Sequence, residues 1–307
     1  YFYTYRGVVK AVDDVSFVVR AGETLGLAGE SGSGKTTVAR LVLRLLNPTS
    51  GSIRFRGRDI LTSDAQEMRR LRGEMQMVFQ DPFASLNPRK TVRSILSRPF
   101  LLHGSPRERV DEEVHDLLET VGLTPARAYV DRYPHEFSGG QRQRIGLARA
   151  IATHPEFVVA DEPVSSLDLS IRAQVLELMK RLQRDLGLTY LFITHDLAVL
   201  RSMATKVAIM YLGKIVEQSE VGEFYSGPLH PYSRALLSAT PLPDPRASRA
   251  RERIRIVGEI SSAFRLPSGC RFWPRCPDKL PKCSEEEPSL TDMGKGHVVA
   301  CHLVAKR

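Results

Sequence analysis

An α/β fold with a buried, largely parallel sheet is what this 307-residue chain predicts, and three features carry the prediction. Short, continuous apolar runs recur at Thr24–Ala28, Met75–Phe79, Phe157–Asp161, Thr189–Thr194 and Lys206–Met210, too unbroken for strands with one wet face. Helical patterns fall between them, as at Thr36–Leu46 and Ile171–Leu186. The Gly-rich run Gly29-Glu30-Ser31-Gly32-Ser33-Gly34-Lys35-Thr36 joins the first of these strands to the first helix. Sheets that seat phosphate at a helix start use such a connection.

Along the chain, Val8–Val19 alternates loosely as a strand before the turn Ala21-Gly22-Glu23. The helix after the Gly-rich loop puts Val38, Leu41, Val42 and Leu45 on one face and stops at Asn47-Pro48. Ser50-Gly51 then turns the chain into a strand at Ser52–Phe55. Residues 85–155 read as mostly helical, with Asp111–Val121 the clearest case, so a helical subdomain is inserted into the sheet domain. A last strand falls at Ile215–Gln218. After Gly227 the texture changes: His230-Pro231-Tyr232 opens a short helix to Ala239, Pro241, Pro243 and Pro245 mark a linker, and four cysteines follow. The expected domains are therefore 1–227 and a small extension, 228–307.

Hydrophobic residues make up 42% and charged residues 26%, enough for an ordinary core and too apolar for disorder. No apolar run approaches the roughly 20 residues that span a bilayer, and the opening residues lack the pattern of a secretory leader. The chain begins with Tyr1 rather than Met, which points to a trimmed chain or a segment of a longer one. The net charge of +9 is unevenly spread: residues 1–227 hold 30 Lys and Arg against 27 Asp and Glu, whereas 228–307 hold 14 against 8. The densest cluster, Arg246, Arg249, Arg251, Arg253 and Arg255, lacks interleaved aromatics and reads as a solvated linker. A docking surface for a partner or anionic lipid is the alternative, and no nucleic-acid surface is expected.

In a phosphate-binding loop the glycines turn backbone N–H groups inward, and the following helix adds its positive end. Lys35 would reach the β- and γ-phosphates of ATP, and the Thr36 hydroxyl, next to Thr37, would bind Mg²⁺. Asp161 ends an apolar strand, placed to hold the Mg²⁺ shell through water, while Glu162 would polarise the attacking water as general base. His195 follows another strand at the same type of edge, where such sheets bind ligands, and is read as a γ-phosphate contact. Ser138-Gly139-Gly140-Gln141 offers an N-cap and bare N–H groups at the start of a helix carrying Arg142, Arg144 and Arg149.

Taken together, the loop, Ser138–Gln141 and the Asp161-Glu162 strand resemble the ATPase subunit of an ATP-binding-cassette (ABC) transporter, a P-loop NTPase, over nearly the whole chain. The resemblance implies that Gln80 contacts Mg²⁺ and the attacking water while linking the two subdomains. It also implies that Ser138, Gly139, Gly140 and Gln141 grip ATP held by an opposite subunit, in a head-to-tail dimer enclosing two nucleotides. The loop Ser165-Ser166-Leu167-Asp168 would cross between the sites. An aromatic ring from near the N-terminus would stack on adenine; Tyr5 is favoured over Tyr3, although the spacing departs from the family's usual one.

The tail narrows the resemblance. Gly227-Pro228-Leu229-His230-Pro231-Tyr232-Ser233-Arg234-Ala235-Leu236-Leu237, with Gly269-Cys270-Arg271-Phe272 and Arg275-Cys276-Pro277, is similar to the C-terminal extension of oligopeptide and dipeptide importers, which nickel and glutathione importers share. Phe137–Arg144 and Asp161-Glu162-Pro163-Val164-Ser165 resemble the second of the two paralogous ATPase subunits in those importers. The implied partners are a sister ATPase, separate or fused in one chain, two permease subunits, and indirectly an external solute-binding protein. The implied location is peripheral, on the cytoplasmic face of the cell membrane. Cys270, Cys276, Cys283 and Cys301 are spaced C-x5-C-x6-C-x17-C, unlike the paired C-x-x-C of a zinc ribbon. Thiolates among Pro and Gly turns suit a metal centre; the resemblance points to a structural [4Fe–4S] cluster, with Zn²⁺ or unligated thiols as alternatives. A soluble cassette ATPase acting on ribosomes or DNA, or an exporter, would be the rival functions. The first usually shows two cassettes with a charged linker or long coiled-coil insertions and has no place for this tail, and the second normally carries fused membrane segments.

Overall fold

The structure, a computed structural model, describes residues 9–241, 253–256, 258 and 266–304. In chain order the elements are β1 (Thr24–Ala28), α1 (Lys35–Val42), β2 (Arg54–Phe55), β3 (Arg58–Asp59), α2 (Ala65–Glu74), β4 (Met75–Val78), α3 (Pro82–Ser85), α4 (Val92–Leu102), α5 (Val110–Thr120) and α6 (Gly139–Ile151). They continue with β5 (Phe157–Asp161), α7 (Leu169–Leu186), β6 (Thr189–Ile193), α8 (Leu197–Met203), β7 (Lys206–Tyr211), β8 (Lys214–Glu220), α9 (Val221–Ser226), α10 (Pro231–Ala239), β9 (Thr291–Asp292) and β10 (Val298–Val299). The described residues divide into two compact units, one drawn from Tyr1–Val18, Thr24–Val38 and Thr194–Arg307, the other from Val19–Glu23 and Ala39–Ile193.

In the second unit β4, β5 and β6 pair in parallel, Met75 opposite Phe157 and Phe157 opposite Thr189. Every residue of β5 and β6 is buried, as their unbroken apolar sequences require. α7 buries Val175, Leu178, Met179 and Leu182, the i, i+3, i+4, i+7 stripe of a helix with one face on a core. The helical stretch resolves into α4, α5 and α6, which pack on one another through Val92, Leu96, Val114, Leu118 and Ile145, all essentially inaccessible. Turns and two three-residue 3₁₀ helices, Ala126–Ala128 and Pro134–Glu136, fill 121–138, so this stretch is less helical than its sequence pattern predicts.

In the first unit β1 and β7 pair in parallel, and β7 and β8 form an antiparallel hairpin. β10 pairs antiparallel with β8, Val299 opposite Glu217, and β9 pairs with β10, so the cysteine-bearing tail extends this sheet. A cluster of Tyr211, Tyr232, Phe272 and His230 binds the tail to the hairpin, with ring centroids 4.7–5.6 Å apart.

Two sequence expectations are corrected here. Residues 9–20 form no strand: Asp13 gives its N–H to Gly213 O at 2.9 Å, Asp14 is left-handed at φ 54°, and Val18 is 71% exposed. The helix expected to reach Leu46 stops at Val42, because Arg44 turns left-handed and its guanidinium donates to Ile60 O at 2.8 Å and Ser63 O at 2.7 Å. Leu45, expected on the apolar stripe, then faces solvent, as does Leu46.

Candidate functional site

β1 runs into the Gly-rich loop and α1 follows it directly, the strand–loop–helix connection with which such loops seat an anion. Gly34 has φ 106°, and a Cβ there would collide with the Ala11 carbonyl; the position accepts glycine alone. Ser33 N–H donates to Glu30 O at 3.2 Å, and Gly213 N–H donates to Ser33 O at 2.9 Å. Lys35 is 6% exposed and lies back over its own loop, its Nζ donating to Gly29 O at 2.8 Å, Glu30 O at 2.9 Å and Ser33 Oγ at 3.4 Å. Ser31 and Gly32 are exposed at the loop's tip, and Thr36 and Thr37 occupy the first turn of α1. This arrangement can take an anion, with N–H dipoles and one ammonium group already in place.

Glu30 is held from two sides. Its N–H donates to the Tyr232 hydroxyl at 2.8 Å, and its carboxylate accepts from both terminal nitrogens of Arg275, at 2.8 and 3.1 Å. Nothing in local sequence signals this link, since Tyr232 and Arg275 lie 202 and 245 residues away.

In the other unit Asp161 closes β5 and is 3% exposed. Glu162 leaves the strand in a left-handed conformation, φ 46°, with its N–H on Ile193 O at 2.9 Å. A non-glycine residue there stores about 1–3 kcal/mol of backbone strain. The surroundings hold it: Ser165 donates to the Glu162 carbonyl from its N–H at 3.3 Å and from Oγ at 3.1 Å. Gln80 Nε2 donates to Glu162 Oε2 at 3.1 Å. Gln80, Glu162 and Ser165, distant in sequence, are thus brought together, and a neutral amide orients a carboxylate that can accept a proton from water.

Ser138 caps α6 and forms a full capping box with Gln141, whose N–H reaches Ser138 Oγ at 3.3 Å while its Oε1 accepts from Ser138 N–H at 3.0 Å. A Cβ on Gly140 would strike Ile171 of α7, and one on Gly139 would lie 3.4 Å from Leu167. The helix start therefore packs closely on the segment that follows Ser165. Asp168 stands at the N-cap of α7 without a side-chain capping bond. His195 is exposed in the turn between β6 and α8, a turn fixed by Asp196 N–H on Thr194 Oγ1 at 3.1 Å. Tyr5, Tyr3, Arg246, Arg249 and Arg251 lie outside the described residues.

The four cysteines are free thiols. Cys270 and Cys276 flank the turn Trp273–Arg275, Cys283 sits in the turn Pro281–Ser284, and Cys301 follows β10. Cys270 N–H donates to Cys283 O at 2.8 Å. Burial pushes the Cys270 thiol up to about 11 and raises Cys276 and Cys301 as well. Cys270 is also raised by Cys283, Cys301 and Cys276, Cys276 by Cys301 and Cys283, and Cys301 by Cys283. Among the described residues, however, no group of three or more His, Cys, Asp or Glu closes around a metal ion, so the geometry lends no support to either a cluster or a Zn²⁺ site at these cysteines.

Residues 12–165 match the ABC transporter family, half of the chain and the part that holds both the phosphate loop and Glu162. The chain belongs to the ABC transporter family. As a member it is an ATPase whose cycle is coupled to transport. Residues 216–283 match a second family, the oligopeptide/dipeptide transporter C-terminal region. This ABC ATPase is 53% identical over 300 residues to the oligopeptide transport ATP-binding protein AppF of Bacillus subtilis (strain 168), covering 97% of the chain and 90% of AppF. It is 50% identical to the putative oligopeptide transport ATP-binding protein YkfD of the same strain, covering 97% and 91%. Among solved structures it is similar to the dimeric cassette MJ0796, with a TM-score of 0.62 and 26% identity over 69% of this chain and 90% of that one. It also resembles cbiO1 from Clostridium perfringens, with a TM-score of 0.64 and 25% identity over 70% and 84%. No helix among the described residues of the ABC ATPase is long and apolar enough to cross a membrane.

Proposed function

We propose that this ABC ATPase hydrolyses ATP to drive import of peptides, working peripherally on the cytoplasmic face of the membrane beneath two permease subunits. One observation carries the reading: a phosphate loop and an acidic strand end stand in one chain with a tail matching the oligopeptide/dipeptide region. The names of the Bacillus subtilis relatives support it. Residues 1–227, with a helical part at about 85–155, would be the ATPase domain, and 228–307 the importer-specific extension.

On this reading the loop from Gly29 to Thr37 cradles the phosphates of ATP, and Lys35 exchanges its loop carbonyls for phosphate oxygens. Glu162, oriented by Gln80, takes the proton of the attacking water, and His195 steadies the γ-phosphate. Mg²⁺, when bound, would neutralise charge developing on the phosphates; Thr36, Gln80 and Asp161 are the hard oxygen donors that suit it. Tyr5 stacks on adenine. Ser138, Gly139, Gly140 and Gln141 serve the nucleotide of a second ATPase subunit, a paralogue, across an interface that includes Ser165 and Asp168. A solute-binding protein outside the membrane delivers the peptide.

The expected test outcome is selective. Cells carrying Glu162→Gln in place of the native chain should lose uptake of labelled di- or oligopeptides and keep uptake of glutathione and Ni²⁺. Loss of glutathione or Ni²⁺ uptake alone would replace peptide with that cargo, and unchanged uptake across the panel would reject the import reading.

The four thiols would hold a [4Fe–4S] cluster. Four soft thiol donors carried by one short tail are the kind of ligand set such a cluster takes. Anaerobically purified chain is expected to carry about four iron and four sulfide per molecule, and Cys283→Ser to lose them. Iron-free, zinc-free protein with an unchanged melting temperature would leave the cysteines as plain thiols.

A further inference from the structure

We propose that Arg275 and Tyr232 are positioning residues of the phosphate loop, so that the cysteine-bearing tail sets how tightly this ATPase holds nucleotide. Glu30 is an anomaly: a carboxylate inside a loop whose N–H groups and lysine serve a polyphosphate. Left unpaired, it would repel the incoming anion. Arg275 cancels that charge through two parallel hydrogen bonds, from a side chain only 8% exposed. Its guanidinium also donates to the Tyr211 hydroxyl at 3.3 Å, which fixes its approach.

Tyr232 fixes the backbone of the same residue. Its hydroxyl accepts the Glu30 N–H, and its ring is locked between Tyr211 and Phe272, with centroids 4.7 and 5.3 Å away. A third tie runs through Arg271, which donates to Asp13 and to the Leu212 carbonyl; the next residue, Gly213, holds Ser33 O. Arg271 adjoins Cys270 and Arg275 adjoins Cys276. One seven-residue stretch, Cys270–Cys276, therefore carries both arginines, and any change that reorders its cysteines moves the groups that shape the loop.

The proposal rests on Gly29–Thr36 being the nucleotide loop, and native chain unable to bind ATP would sink that assignment instead. Purified full-length chain is tested for ATP hydrolysis and for ADP binding. Arg275→Gln keeps bulk and loses charge; it is expected to raise KM for ATP and Kd for ADP about ten-fold, with kcat within two-fold. Adding Glu30→Gln to that variant should restore most of the affinity, because the uncancelled carboxylate is gone. Arg275→Lys should stay near native. Tyr232→Phe, which keeps the ring packing, should raise KM about three-fold. Native KM in Arg275→Gln, or a defect that persists after Glu30→Gln is added, would overturn the proposal and leave Arg275 a brace for the tail alone. If Arg275→Gln does not fold, an unchanged KM in Tyr232→Phe is sufficient to reject it.

Discussion

Glu162→Gln is expected to lower steady-state ATP hydrolysis by about 10²–10⁴-fold while leaving ATP affinity near native. The substitution is narrow in what it changes. β5 is buried along its length, so Asp161 stays where its strand puts it. The backbone of Glu162, φ 46°, is held by Ile193 O and by Ser165 through bonds to its main chain that the substitution leaves in place. Gln80 Nε2 can still donate to the new amide oxygen as it does to the carboxylate. What disappears is the ability to accept a proton. Turnover assays beside equilibrium ATP binding check this: undiminished hydrolysis would remove Glu162 from the role of base. Loss of hydrolysis together with loss of ATP binding would point to local collapse of the strained turn.

The second large effect concerns stability in acid. Glu217 is fully buried and accepts from Leu229 N–H at 2.7 Å and His230 N–H at 3.0 Å, and it meets His297 Nε2 at 2.7 Å. Burial alone would raise its carboxyl, but the hydrogen bonds from His297, Leu229 and His230 hold it below the ordinary carboxylate value. Replacing it with alanine strands the buried His230 N–H, the half-buried Leu229 N–H and a histidine, at about 3–5 kcal/mol. His230 is also buried, 1% exposed, and burial lowers it to about 4; its Nδ1 must stay unprotonated to accept Tyr232 N–H at 3.0 Å. Between pH 6.5 and 4 the unfolded chain takes a proton on this residue and the folded chain does not. The His230 contribution is therefore complete above pH 6.5 and is lost as pH falls toward 4, by about 3 kcal/mol. The Glu217 contribution is present above the unfolded carboxylate value and is lost on further acidification. Trp273, the sequence's one tryptophan, sits in the tail and reports the event. Urea titrations of its emission across this range should show the loss, and a flat profile would contradict it.

Much of this was legible in the sequence. β1 and β5 have the expected bounds because unbroken apolar runs leave a short buried strand no other register, and Gly34 and Ser138 announce their turns by chemistry alone. Family membership and the importer-type tail follow from motifs of the same kind. What was not legible depends on partners far away. Val8–Val19 alternates like a strand, yet Asp13 is taken by Gly213 and Arg271. α1 ends early because Arg44 finds carbonyls at Ile60 and Ser63. The two-residue strands β9 and β10 carry too little pattern to see, and the grip on Glu30 joins residues that no window of sequence contains together.

The pairing of β10 with β8 has a practical side. Val298 and Val299 lie opposite Gln218 and Glu217, and they satisfy main-chain groups that would otherwise stand bare along one side of the hairpin. A chain cut after α10 would not be a minimal ATPase. It would present an open, partly apolar ribbon to every other copy in solution, an invitation to sheet-to-sheet aggregation. Shortening this protein from its C-terminus is therefore a problem of solubility before it is one of activity.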